Sequence, residues 1–93
     1  MSFCLIYHPA VNVHDLPHLV PHVRLRIRAA LEERIATRPA VYGKPLRGAL
    51  SGLWSLRVGD YRIIYAIASD EVHILLIGHR REAYRDAASR MSS

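Results

Sequence analysis

The stretch LRVGDYRIIY, residues 56–65, sets two guanidinium groups against each other. Two apolar runs flank Gly59-Asp60, the signature of a strand, a two-residue turn and a returning strand. Centred on that turn, the register pairs Val58 with Tyr61, Leu56 with Ile63 and Trp54 with Tyr65, and it sets Arg57 opposite Arg62. Like charges facing each other across a ladder destabilise it. No acidic residue of these strands shares that face. An opposed arginine pair without counter-charge is suited to an anion, because guanidinium forks match phosphate oxygens two at a time. The competing reading is a solvated outer face from which both side chains splay into water. The same turn logic at Ser69-Asp70 sends His73 and His79 to this face. His79 is the residue there whose ordinary pKa suits proton transfer near neutrality; the plainer reading is a polar residue closing a strand.

Other chemistries find less support. His14, His18 and His22 stand at i, i+4 and i+8, a metal-binding spacing on an unbroken helix, but Pro17 and Pro21 interrupt it. No cysteine or clustered carboxylate completes a ligand set, so no metal and no cofactor are expected. Gly-rich phosphate loops and nucleophile elbows are absent from the sequence. Lys44 and Arg47, in the turn-rich AVYGKPLRGALSG, are basic residues of the kind that touch a nucleic-acid backbone or are simply solvated.

The elements that must position these residues follow from periodicity. SFCLIYH reads as a first strand, and residues 13–39 read as helical with breaks at Pro17 and Pro21. Val23, Ile27, Leu31 and Ile35 form an apolar stripe, and Pro39 stops the helix. Strands are expected over 53–58, 61–67 and 72–78, the last apolar on both faces as a central strand should be. A short helix runs from about Arg81 to Met91. This describes an α+β domain: a mainly antiparallel sheet of about four strands, two N-terminal helices packed on one face, and a short C-terminal helix.

Composition sets the outer limits. Ninety-three residues, 51% of them apolar, make one domain (1–93) with a single small core. A net charge of +5 and a pI near 10.0 favour anionic partners. Cys4, flanked by Phe3, Leu5 and Ile6, is expected to be buried and inert, which fits a reducing compartment. No signal-peptide layout and no run of ~18 apolar residues is present, so a cytoplasmic protein without a membrane partner is expected.

The combination YGKPLRGALSGLWSLRVGDYRIIYAI with EVHILLIGHRREAY resembles the core of the RelE/ParE superfamily of bacterial toxins, densely from Tyr42 to Tyr84 and more loosely before it. The resemblance implies a RelE-like fold and a toxin held by a cognate antitoxin in a hetero-oligomer. It implies one of two activities: ribosome-dependent, metal-independent cleavage of mRNA in the RelE branch, or inhibition of DNA gyrase in the ParE branch. By position, it assigns transition-state stabilisation to Arg62, leaving-group assistance to Arg80, and a further site role to Tyr84; the residues read above on their own chemistry, Lys44, Arg47, Arg57 and His79, are expected as substrate contacts. Tyr84 as a helix residue packing on the sheet is the alternative. RelE lysines are replaced here by Leu53 and Ser55, which leaves the general base unassigned. The primary expectation is an mRNA interferase with an acidic antitoxin. The alternatives are a gyrase inhibitor without catalysis and an impaired toxin acting as an antitoxin-binding regulator. Strict alternation also sends Arg80 to the face opposite Arg62, so a bulge or strand end at Gly78 is needed to redirect it.

Overall fold

A glycine at φ +61° makes the first hairpin possible. The computed structural model of the chain describes residues 2–92. In it, β3 (Trp54–Val58) and β4 (Tyr61–Ala68) pair in the expected register, with Arg57 opposite Arg62. Gly59 takes the first central turn position, where a left-handed φ matches the turn to the twist of the strands. Ser69, at φ 60°, holds the equivalent position in the turn to β5 (Glu71–His79).

The sheet has five strands rather than about four, and it is mixed. Their order is β1-β5-β4-β3-β2. β1 (Cys4–Tyr7) runs parallel to β5, while the remaining pairs are antiparallel. The extra strand is β2 (Lys44–Pro45), a two-residue edge strand within the segment expected to be a loop. Parallel pairing of β1 follows from the helical crossover after it, which carries the chain over one face before it returns. β5 is central as expected, with β1 on one side and β4 on the other.

The N-terminal helical region is more broken than a pair of helices. Val11–Asp15 forms a π-helical turn that ends ahead of Pro17. α1 (Pro21–Ala30) starts with proline in its first turn, where a missing N–H is harmless. It continues through a second π-helical turn, Leu31–Ile35. Pro39 does not merely stop this run; it opens α2 (Pro39–Tyr42). Ile27, Leu31 and Ile35 pack on Leu56, Ile63, Tyr65, Val72 and Ile74 as the main core.

The other sheet face is not open along its length. α3 (Ala83–Met91) lies on it, with Ala83 and Ala87 packed on Leu53, Ile64 and Leu76. Alanines let the helix approach closely while burying little apolar area. α3 stops short of the β1 edge, where Cys4 is exposed rather than buried. On that edge strand Leu5 and Tyr7 turn toward the core, and alternation leaves Cys4 and Ile6 outside. No helix of the described residues is long and apolar enough to cross a membrane.

Candidate active site

The opposed arginines diverge. Arg57 is exposed, and its Nε donates to the carbonyl of Gly59 at 2.8 Å, which draws the guanidinium back toward the turn. Arg62 is half-buried and turns the other way. Its Nη1 donates to the Ser55 hydroxyl at 3.4 Å, and its Cζ lies 5.2 Å from the centroid of the Tyr84 ring. The separation answers the repulsion that the register alone would impose. Arg62 Nε is buried without a hydrogen-bond partner, leaving an N–H donor uncommitted at the site.

Three elements hold this group. Arg62 comes from β4 beside the turn, Ser55 from β3, and Tyr84 from the first turn of α3. Ser55 is buried, as is the neighbouring Leu53, which forms part of the platform under α3. These two positions therefore serve packing and support of Arg62 rather than presenting cations. Tyr84 is 40% exposed with its ring over Arg62, so it stands at the site and is not simply a core residue. Lys44 pairs in register with Ser55, which places it on the same face one strand further out. Arg47 lies beyond β2, exposed, ahead of a tight turn at Gly48–Leu50, and the described contacts do not bring it to Arg62.

A β-bulge decides the fate of His79 and Arg80. β5 carries one residue, Leu75, that has no counterpart on β4: Ile64 pairs with Leu76, yet Tyr65 pairs with Ile74. The bulge inverts alternation beyond it. His73 pairs with Ala66 and keeps its expected face, whereas His79 pairs with Tyr61 on the α1 side, away from Arg62. The expectation for His79 on the arginine face is thus overturned. Its ring meets Tyr61 edge-on at 5.7 Å, and its Nδ1 accepts the Arg81 N–H at 3.3 Å. The same inversion returns position 80 to the Arg62 side, with the bulge three residues before Gly78. The Arg80 N–H donates to the Asp60 carbonyl at 2.8 Å, and its Nε lies 3.7 Å from the Asp60 carboxylate. Asp60 thus supplies an acidic partner that counting strand residues alone did not register.

α3 is anchored by a pair that sequence reasoning missed. Asp15 is 6% exposed and accepts from Arg90 Nη1 at 2.7 Å, from Arg90 Nη2 at 3.1 Å, and from the Ile77 N–H at 2.9 Å. Arg90 Nη1 also donates to the Leu75 carbonyl at 3.0 Å. Burial alone would raise the Asp15 pKa, but the hydrogen bonds from Arg90, Ile77 and His14 outweigh it and hold the carboxyl below its ordinary value. The partners are 75 positions apart, so no local spacing could reveal them. A lone acid at a buried helical position was the available signal.

The histidine series does not gather into a ligand set. His14 and His18 stack at 4.4 Å, and His18 Nδ1 engages the His14 carbonyl. Among the described residues, no three His, Cys, Asp or Glu side chains are grouped to hold a metal ion.

Comparison with known proteins bears on the family and the fold. Residues 5–84 match the family model of the ParE toxin of type II toxin-antitoxin systems. The Mycobacterium tuberculosis toxin RelE is 36% identical over 84 residues, spanning 85% of this chain and 87% of that protein. The toxin–antitoxin complex RelBE2 of the same organism superposes with a TM-score of 0.80 at 29% identity, covering 86% of this chain and all of the matched one. A variant of Escherichia coli RelE in the free state shares the fold, with a TM-score of 0.73 at 22% identity over 98% of this chain and 99% of that one. The fold is that of a RelE-like toxin. The chain belongs to the RelE/ParE superfamily, as a toxin of a type II toxin–antitoxin system.

Proposed function

We propose that the chain is a metal-independent endoribonuclease that cleaves mRNA on the ribosome. The observation that carries this reading is the Arg62–Tyr84 contact, a half-buried guanidinium with an aromatic ring above it. Cleavage of RNA through its own 2′-hydroxyl requires removal of the 2′ proton, charge neutralisation on the phosphorus oxygens and departure of the 5′ oxygen. The 2′ oxygen bonds to phosphorus as the bond to the 5′ oxygen breaks, giving a cyclic phosphate and a 5′-hydroxyl end. Arg62 supplies fixed positive charge at the phosphate, where a preformed donor is most effective. Tyr84 stacks on a base or orients the ribose next to it. Arg80 stabilises charge on the departing oxygen; a guanidinium is too weak an acid to release its proton readily. Lys44, on the face of Ser55 and Arg62, steadies the backbone on the outer side, and Arg47 extends that track.

The buried Ser55 and Leu53 favour a second reading, a gyrase inhibitor of the ParE kind, because they put no lysine beside Arg62. Inducing the chain in cells and mapping mRNA 5′ ends alongside a gyrase supercoiling assay separates the two. New ends within translated frames support cleavage; blocked supercoiling with intact mRNA supports the gyrase reading.

A cognate antitoxin belongs to the proposal. The net charge of +5 favours an acidic segment, disordered alone, that folds on the toxin and competes with RNA.

A further inference from the structure

Away from the Arg62–Tyr84 pair, three guanidinium groups share a cleft between α1 and the β3–β4 turn. Its walls include Arg26, Arg34 and Arg57 with Val58 and Gly59, and its volume is about 250 Å³. Two of these side chains converge on one residue. Arg57 Nε donates to the Gly59 carbonyl, and a Cβ built on Gly59 would sit 3.0 Å from Arg26 Nη1. All three arginines are exposed, and among the described residues none forms an ion pair. Glu33 also lines the cleft, so three cations and one carboxylate leave it with a net charge of +2. Gathering unpaired like charges at one turn has an electrostatic cost that a bound anion would relieve.

We propose that this cleft is a second phosphate site, one that grips the RNA backbone without taking part in cleavage. The inference rests on the reading that the chain acts on RNA. Position favours a phosphodiester over an acidic side chain: Arg57 draws back from its strand partner Arg62, so the cleft lies on the α1 side of the hairpin end whose other face carries Arg62, and a strand passing around that end reaches both. A chain of evenly spaced phosphates can occupy both, whereas a single carboxylate occupies one. Guanidinium forks take phosphate oxygens in pairs, which gives the cleft orientation as well as charge.

The experiment uses the full chain carrying Arg62→Ala, so that RNA stays intact. Binding of a labelled single-stranded RNA and of ribosomes is measured across salt concentrations, with and without Arg26→Gln, Arg34→Gln and Arg57→Gln. Each lost phosphate contact should weaken binding roughly tenfold and flatten the log–log salt dependence by about 0.7. In the chain with Arg62 intact, the same substitutions should raise KM for cleavage and leave kcat unchanged. Loss with both ligands places the phosphate on single-stranded RNA; loss with ribosomes alone places it on ribosomal RNA. Either supports the cleft. Unchanged affinity and salt slope in all three variants overturns it. If the chain with Arg62 intact cleaves mRNA while the variants match it, the cleft proposal fails alone. If that chain neither binds nor cleaves RNA, the proposed function fails and takes the cleft with it.

Discussion

Arg62 concentrates the electrostatic demand of the site in one side chain. It is flanked by a hydroxyl, covered by an aromatic ring, and set back from the surface, so its field is less screened than that of Arg57 on the opposite strand. Replacing Arg62 by Ala should lower the cleavage rate by about 10²–10³-fold, the range seen when a preformed charge-stabilising donor is removed. Thermal unfolding of the variant should stay close to that of the parent, because Arg62 makes one long hydrogen bond, at 3.4 Å, and its removal also takes away a buried Nε without a partner. A folded Arg62→Ala protein that remains toxic contradicts the assignment. Tyr84 is tested beside it: Tyr84→Phe retains the ring over the guanidinium, while Tyr84→Ala removes it. Phe should keep most of the activity and Ala should lose it. Loss in both would transfer the role from the ring to the hydroxyl.

At the scale of elements, α3 is a weakly rooted helix with one strong anchor. Ala83 and Ala87 are its buried residues, so hydrophobic attachment is small and the Asp15–Arg90 pair bears much of the docking. Breaking a buried pair from one side leaves an uncompensated charge and costs about 3–5 kcal/mol. Arg90→Leu should therefore free α3 and, with it, Tyr84. The pair also sets an acid limit. Because the folded-state pKa of Asp15 lies below its ordinary value of 3.8, its contribution is full above that value and is lost as pH falls through the folded pKa. Acid unfolding followed by circular dichroism should show this loss in the parent. In Asp15→Asn the part of the acid dependence due to this carboxyl should vanish, with lower stability at neutral pH. An identical acid profile in both proteins would count against the anchor.

For the molecule as a whole, one close approach ties the crossover to the sheet. The Tyr65 hydroxyl, fully buried on β4, donates to the Pro39 carbonyl at 2.7 Å. Gly43 lies against it, and a Cβ there would fall 1.8 Å from the hydroxyl oxygen. Gly43→Ala should destabilise the protein by about 1–3 kcal/mol through overpacking. Tyr65→Phe should cost roughly 1 kcal/mol from the lost hydrogen bond. Burial pushes the Tyr65 pKa from 10.0 up to about 12. The unfolded chain releases this proton first, so stability is intact below pH 10.0 and declines as pH rises toward about 12. Alkaline unfolding should consequently be shallower in Tyr65→Phe. A variant with the parent's alkaline profile would show that this phenol is not responsible.

Local residue patterns alone specify the first hairpin. Gly59-Asp60 and the alternating apolar residues dictate the β3–β4 register, and the doubly apolar 72–78 segment marks an interior strand, because period and turn chemistry act over a few residues. The sequence also carries the family, through LRG, LRVGDYRIIY and IGHRREAY, and with it Arg62, Arg80 and Tyr84 as separate site candidates; that Tyr84 lies over Arg62 is visible only in the structure. Tertiary structure decided the rest. Which face His79 joins depends on the Leu75 bulge, and a one-residue irregularity leaves no mark in a run that is apolar on both sides. Cys4 looked buried because its neighbours are apolar, yet exposure on an edge strand depends on how far α3 reaches. Divergence of Arg57 from Arg62 rests on a backbone carbonyl, and Asp15 finds Arg90 only because α3 returns over β5, where both meet its backbone. Residues distant in the chain meet through packing, and no periodicity encodes the meeting.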